Sequence, residues 1–350
     1  MAQKVKFGII GTGAIAAKHA EAIQNAVNAE LVAVFDLVAD RAKAFADRFG
    51  VRASSSFEEF LADPEVQAVT IATPTGIHGK VAVPAARAGK HILCEKPLDV
   101  TVEKADEIIN ACHAHGVILS AVFQSRFIQN VELIRQAIAA GRFGRIVLAG
   151  AQCKWFRTQE YYDSATWRGT WALDGGGALM NQSIHSIDLL LYLNGDVDEV
   201  VAHTAILSHS GIEVEDNAVA ILKFKNGSLG TIEGSTSCAP GFPPRIEISG
   251  SKGSVVLEDR KIVRWQFTEE APGDEEIRRT GGYQENIPDN GFSNPMEIAS
   301  EGHRRQIEDL ASAILSGKHE VKLSGVEGRR AVALICAVYE SARTGKPVKL

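Results

Sequence analysis

The chain is poor in the residues that would mark a secreted, disulfide-built or membrane-embedded protein. Its 350 residues include only five cysteines (Cys94, Cys112, Cys153, Cys238 and Cys336), far apart, odd in number and without a CxxC pair. That excludes a disulfide framework or a cysteine-rich zinc site and predicts reduced thiols in a cytoplasmic protein. No apolar run approaches the roughly 18–20 residues that span a bilayer. Met1-Ala2-Gln3 leads straight into the apolar stretch Lys4–Ile10, so neither an anchor nor a signal peptide is expected. An excess of positive charge is missing too. The 37 basic side chains against 43 acidic ones leave a net charge of −6, which argues against nucleic acid or an anionic membrane as partner. Internal repeats and low-complexity segments are absent. What remains is a globular composition, 45% hydrophobic and 23% charged, in a chain too long for a single core. Two domains are expected.

The first third alternates between two periodicities. Short apolar runs (Lys4–Ile10, Glu30–Phe35, Val66–Ala72, His91–Cys94, Val117–Phe123) are separated by helical stretches (Ala14–Ala26, Asp40–Phe49, Thr75–Ala88, Val102–Ala114). Strands separated by helices predict βαβ units and a doubly wound, parallel Rossmann sheet over residues 1–124. After about residue 125 the pattern changes. A helix over Val131–Ala140, a strand over Ile146–Trp155 and a helix opened by Gly175-Gly176-Gly177 precede strand-like runs with no helices between them: Val197–Leu207, Asp216–Lys225, Ser228–Ser237, Arg245–Gly250 and Gly253–Leu257. Asn226-Gly227 is a hairpin signal. These runs predict a mostly antiparallel sheet, so residues 125–350 are expected to form an α+β domain. Residues 270–296 read as a surface loop, and helices over Glu301–Leu315 and Val326–Ala342 follow it.

Gly8-Ile9-Ile10-Gly11-Thr12-Gly13-Ala14-Ile15-Ala16 fits the GxGxx(G/A) pattern as Gly11, Gly13 and Ala16, between a strand and a helix. Gly11 permits the tight turn, Gly13 a close backbone approach, and Ala16 close packing of helix on strand. The amides of Thr12, Ala14 and Ile15 then face a pyrophosphate. Asp36 ends the second strand, where its carboxylate can accept ribose hydroxyls and repel a 2′-phosphate. The expected cofactor is therefore NAD over NADP. Two more strand ends point to the same crevice: Ala72-Thr73-Pro74-Thr75-Gly76-Ile77-His78 and Cys94-Glu95-Lys96-Pro97. A charged pair before proline at a strand end is expected to face a polar ligand. Thr73, Pro74, His78, Glu95 and Lys96, with Gln124 after the last parallel strand, are candidate cofactor contacts. His203 and His209 lack ligand spacing and are expected at the surface; no metal is expected.

Glu95-Lys96-Pro97, the glycine motif and Ala72-Thr73-Pro74 together resemble the Gfo/Idh/MocA family, the glucose–fructose oxidoreductase and inositol dehydrogenase group. Trp167-Arg168-Gly169-Thr170-Trp171 and the run from Gly175 to Asp188 look like that family's second signature, and Gly302-His303-Arg304 and Tyr339-Glu340-Ser341-Ala342 are similar as well. The resemblance implies a nicotinamide-dependent oxidoreductase of sugars, sugar derivatives or cyclitols, with residues 125–350 as the substrate-binding and oligomerisation domain, whose open-faced sheet builds a homodimer or homotetramer. It also implies a cis Lys96–Pro97 bond and places Trp167 and Arg168 at the cofactor. Lys96 and His185 are the expected catalytic groups, with His185 as base in oxidation. Asn181 stands where many members have an aspartate. An amide cannot take a proton, so Asn181 is expected to orient a substrate hydroxyl, and Asn181→Asp to leave substantial activity. Two other readings stand beside this one: a glycosidase that retains NAD and oxidises a sugar transiently, and a non-catalytic dinucleotide-binding regulator.

Overall fold

A computed structural model describes residues 3–283 and 300–350. The described chain divides into two units, one of residues 3–124 and 300–329, the other of 125–283 and 330–350. In the first unit β1 (Val5–Ile10), β2 (Ala29–Phe35), β3 (Arg52–Ala53), β4 (Ala68–Ile71), β5 (His91–Cys94) and β6 (Leu119–Ala121) form a parallel sheet in the order β3-β2-β1-β4-β5-β6. The order reverses between β1 and β4, which opens a crevice at the strands' carboxyl ends. Between the strands run α1 (Ala14–Asn25), α2 (Ala39–Phe49), α3 (Phe57–Ala62), α4 (His78–Arg87) and α5 (Val102–Ala114). The buried face of α1 repeats at helical spacing as Ala16, His19, Ala20 and Ile23. The alanines keep the helix close to the sheet.

The second unit contains α6 (Gln129–Ala139), β7 (Ile146–Lys154), α7 (Gln159–Asp163), a π-helical turn (Ala178–Ser183), α8 (Ile184–Asn194), β8 (Val197–Ala205), β9 (Asn217–Phe224), β10 (Leu229–Ser235), β11 (Arg245–Gly250), β12 (Gly253–Glu258), β13 (Lys261–Phe267) and α9 (Asp274–Thr280). With β14 (Val348–Lys349) the strands make an eight-stranded sheet ordered β13-β12-β11-β7-β10-β9-β8-β14, antiparallel except for β7 beside β10. In β9 burial alternates at every residue, with Ala218, Ala220 and Leu222 inward and Val219 and Ile221 outward. Helix α8, apolar nearly all round, packs against β7 and β11.

The structure departs from the sequence expectations in four places. Helix α10 (Glu301–Ser316) packs on α1 in the first unit, burying Ile307, Leu310 and Ala311 there, instead of joining the second. Helix α11 (Gly325–Thr344) begins in the first unit and continues in the second. The segment expected as a loop contains α9, whose Asp274 is buried against Arg142 and Trp265; the rest of that expectation, beyond Tyr283, lies outside the described residues. Strand β13 was not foreseen. Its Trp265 is buried, which lone polar neighbours in sequence do not reveal.

Asp188 on α8 makes a bidentate pair with Arg126, at 2.7 and 2.8 Å, with both side chains sealed from water and the guanidinium 4.6 Å from the centre of the Tyr192 ring. Removing one partner of such a pair leaves an uncompensated buried charge. Asp188→Ala is therefore expected to cost about 3–5 kcal/mol in urea denaturation. An unchanged midpoint would contradict the pairing.

Candidate active site

The glycine loop joins β1 to α1. Gly11 has φ +89°, and a Cβ there would stand 2.8 Å from the carbonyl oxygen of Ala72, so only glycine fits. Gly13, the residue before α1, has open space around it, and no side chain caps the helix amides that begin at Ala14 and Ile15. Asp36 closes the loop from the end of β2. Its Oδ2 accepts from the Thr12 amide at 2.8 Å and the Thr12 hydroxyl at 2.9 Å, and its Oδ1 from the Val38 amide at 2.9 Å. A carboxylate offers about four lone-pair sites, so capacity is left for a ribose hydroxyl. Leu37 beside it is 87% exposed, an apolar surface next to the charge. Bare amides at a helix start, glycines on both sides of Thr12 and a ribose-compatible carboxylate fit a dinucleotide.

The other two strand ends behave differently from the expectation. His78 is buried, with Nε2 3.0 Å from the carbonyl of Thr73 and Nδ1 3.0 Å from that of Pro97. It ties the loops after β4 and β5 together and so offers no nitrogen to a ligand. Glu95, expected to face a ligand, turns inward: it is 6% exposed, and its Oε1 accepts from His19 Nε2 at 2.7 Å. Burial alone would raise its pKa. The hydrogen bond and charge of His19, with His303 and Lys96, outweigh that and hold it at about 2. His19, His303 and Glu95 are a group of potential metal ligands. His19 and Glu95, however, touch each other directly, closer than two ligands spread around one zinc ion would sit, with bonds of about 2.0–2.2 Å each. Lys96 is half-buried, and its peptide bond to Pro97 is cis, as the resemblance implied. Thr73, Pro74 and Gln124 are partly accessible around these loops.

In the second unit Asn181 lies in the π-helical turn and His185 in the first turn of α8, both half-buried. On a regular helix Asn181, His185 and Asp188 would share a face at i, i+4 and i+7; the π turn re-phases Asn181 against the other two. Asp188 belongs to the core pair with Arg126. Asn181 Nδ2 donates to Asp174, a buried carboxylate whose Oδ2 also accepts from the Gly169 amide at 2.9 Å, and Asn181 Oδ1 accepts from Gln182 at 2.9 Å. Gln182 donates to the Tyr161 hydroxyl at 2.9 Å as well. The guanidinium of Arg168 lies 4.1 Å from the centre of the Tyr161 ring and 4.7 Å from that of Trp167, and Arg157 lies 5.5 Å from Tyr161. His209 is no surface residue: its ring is buried between Asp216, 2.9 Å away, and the carbonyl of Arg157, 2.8 Å away. His203 is exposed as expected.

Sequence reasoning missed Asp174 and Glu215. The Glu215 carboxylate accepts from the Gly177 and Leu179 amides at 3.1 and 2.8 Å and from the Tyr339 hydroxyl at 2.9 Å, holding the start of the turn that carries Asn181. Burial pushes its pKa up to about 7 against those three donors. The carbonyl of Glu215 would stand 2.0 Å from a Cβ on Gly177, which explains that glycine. The stretch Gly211-Ile212-Glu213-Val214-Glu215-Asp216 reads as a polar loop and held no local signal of this. Asp174, beside the glycine triplet, was legible as an acidic residue but not as the partner of Asn181.

Residues 5–123 match a family model described as an oxidoreductase family with an NAD-binding Rossmann fold, and residues 131–256 match the GFO/IDH/MocA C-terminal domain. The chain is 30% identical to the inositol 2-dehydrogenase of Rhizobium meliloti over 352 residues, covering 99% of both. It is 28% identical to the myo-inositol 2-dehydrogenase of Thermotoga maritima, covering 99% of this chain and 98% of that one. Its fold matches the WlbA dehydrogenase of Bordetella pertussis, crystallised with NADH and UDP-GlcNAcA, with TM-score 0.89 and 36% identity, over 100% of this chain and 99% of that one.

The bond from Asn181 to Asp174 adds a cost in stability to what is expected of Asn181→Asp. The substitution replaces a donor by a second carboxylate facing a buried one, so one of the two must take up a proton or the contact must break. A lost hydrogen bond to a charged group is worth about 1.5–3 kcal/mol, and a destabilisation of that order is expected. A carboxylate raised in the folded state contributes its stability at low pH and loses it as pH rises through the folded value. The deficit in Tm against the parent protein should therefore widen from pH 5 to pH 8. Equal Tm values at pH 8 would refute the pairing.

Proposed function

The chain is an NAD-binding oxidoreductase of the Gfo/Idh/MocA family, and on that footing we propose that it moves a hydride between the nicotinamide and a carbinol or ketone carbon of a sugar, sugar derivative or cyclitol. The observation that carries the proposal is the uncapped glycine loop tied to Asp36, in a chain that aligns end to end with dehydrogenases of such compounds. Bound NAD supplies the hydride acceptor. Removing the carbinol proton assists hydride loss, so a base within hydrogen-bond reach is needed. In this reading Lys96 hydrogen-bonds the reacting oxygen, and His185 takes the proton in oxidation or returns it in ketone reduction. Asn181, held by Asp174 and Gln182, presents its amide to a neighbouring hydroxyl. Gly11, Thr12, Gly13, Ala14, Ile15 and Asp36 hold the dinucleotide, and Thr73, Pro74, Gln124, Trp167 and Arg168 complete its pocket. His78 and Glu95 support it from behind.

Two guanidiniums on Tyr161, next to Gln182, give this part of the second unit positive character. That favours an anionic sugar derivative, a sugar acid or a nucleotide sugar, over a neutral inositol. None of the relatives named above is a glycosidase or a regulator, so those two readings lack support. We also propose a homodimer or homotetramer, built on the outer face of the large sheet. There Val201 lies beside Ile221, and Leu148 beside Leu229, on neighbouring strands, all exposed, Ile221 by 61%. Contiguous apolar surface of this kind usually marks an interface. Among the described residues no helix is long and apolar enough to cross a membrane, and all five cysteines are free, which suits a cytoplasmic protein.

Absorbance at 340 nm should build up when NAD and a substrate are supplied, in a screen of inositols, aldoses, sugar acids and nucleotide sugars, with an anionic compound turned over best. Lys96→Ala and His185→Ala should each lower kcat roughly 10²–10⁴-fold while NAD still binds; full activity in either variant would remove that residue from the mechanism. Light scattering at micromolar concentration should give a multiple of the 37.6 kDa protomer. A monomer would overturn the interface.

A further inference from the structure

The buried cluster of His19, Glu95 and His303 belongs wholly to the first unit, and the hydride chemistry makes no direct use of it. Its three side chains come from α1, the end of β5 and α10, and His19 and His303 are 0% and 1% exposed. His19 Nε2 donates to Glu95 Oε1 at 2.7 Å, and His303 Nε2 stands 3.8 Å from the same oxygen. The two rings meet edge to face, 4.9 Å apart. Glu95 Oε2 accepts from the backbone amide of Lys96 at 3.0 Å. Both oxygens of the carboxylate are thus engaged, one by a neighbouring helix and one by the next peptide group of its own chain.

Such a carboxylate is costly to bury and would be replaced by an apolar side chain if only packing mattered. Its consequence lies one residue on. Glu95 directly follows β5 and is buried, while Lys96, in the bend that comes next, is half-buried. A Glu95 held inward therefore fixes the backbone from which Lys96 projects, and a Glu95 that swung free would release that constraint. Behind the turn, His78 contacts the carbonyls of Pro97 and Leu98 at 3.0 and 3.3 Å, so the segment is held on both sides of Lys96.

We propose that His19 and His303 are positioning residues of the reaction, which clamp the Glu95 carboxylate inward and thereby aim the Lys96 amine. The inference rests on Lys96 as the group that hydrogen-bonds the reacting oxygen. His303 explains why α10 returns to the first unit: it brings the second imidazole to a carboxylate more than two hundred residues earlier. His19 is the stronger partner, because it makes the direct hydrogen bond.

The test uses the full-length enzyme with NAD and the sugar found best in the screen. His19→Leu should lower kcat about 10²-fold, the scale on which a misplacement of about 1 Å acts. KM for the sugar and Kd for NAD should stay within about threefold. His19→Gln, whose amide can still donate to Glu95, should recover most of the lost turnover, as a purely volumetric role would not allow. His303→Leu should cost less. The labelling rate of Lys96 by an amine-selective reagent, read by mass spectrometry against exposed Lys80, should change several-fold in His19→Leu and return in His19→Gln. If His19→Leu does not fold, Glu95→Gln takes its place: it keeps the side chain's volume, weakens both contacts, and should alter Lys96 labelling in the same way. Unchanged Lys96 labelling in the folded variants, or a kcat in His19→Gln as low as in His19→Leu, would overturn the clamp. Full activity in Lys96→Ala would refute the role of Lys96 instead, and the labelling result would still decide whether His19 holds the turn.

Discussion

A carboxylate sealed from water persists only with partners that neutralise it and fill its lone pairs, and Glu95 meets that demand from three separate parts of the first unit. The sheet puts Glu95 at the carboxyl end of β5, beside the reversal in strand order that opens the crevice. Helix α1 supplies His19 from a face otherwise made of alanine and isoleucine, and that same helix begins at the glycine loop. One rigid element therefore links the expected pyrophosphate site at its start to the anchored carboxylate one and a half turns later. Helix α10 covers α1 with Ile307, Leu310 and Ala311 and delivers His303. Apolar packing and the buried charge act together here, since the helices must stay closed for Glu95 to keep His19 and His303 as its partners.

The second unit applies the same constraint to a different end. Glu215 and Asp174 are buried carboxylates whose lone pairs are taken by backbone amides around the glycine triplet, by Tyr339 and by Asn181. Their targets are the first residues of the π turn and the helix behind it, which carry Asn181 and His185. The absence of a side chain at Gly177 lets the carbonyl of Glu215 approach where a Cβ would collide, and at Gly176 it makes room for the Tyr339 hydroxyl. Asn181 is consistent with this arrangement. Beside a buried aspartate an amide donor is satisfied, whereas a second carboxylate would be repelled. The departure from the commoner family pattern is thus compensated locally, seven residues away.

Features that depend on neighbours in sequence were legible without coordinates. The alternation of short apolar runs with helices produces a parallel sheet because each crossover must pack its apolar stripe on the strands it joins. Gly11 marks a tight loop because a Cβ there would meet the carbonyl of Ala72, and Gly13 leaves the helix start open. The alternation of Ala218, Ala220 and Leu222 with Val219 and Ile221 shows a sheet with one covered face, since side chains on a strand have a period of two. His19, in the apolar stripe of α1, was not singled out, because nothing local tells what a histidine in such a stripe meets.

Only the tertiary structure decided which way the charged residues turn and which unit a late helix joins. Glu95-Lys96 reads as a pair facing a ligand, yet one member is turned into the core because its partners, His19 and His303, are 76 residues before it and 208 after it. His78 and His209 are bound on both ring nitrogens by groups brought close by folding. Asp274 is similarly absorbed by Arg142 and Trp265 in what reads as a polar loop. Periodicity and glycine placement are local consequences of backbone sterics and so survive in the one-dimensional text. The satisfaction of a buried charge is a property of the folded interior, where the partners are chosen by space and not by order along the chain.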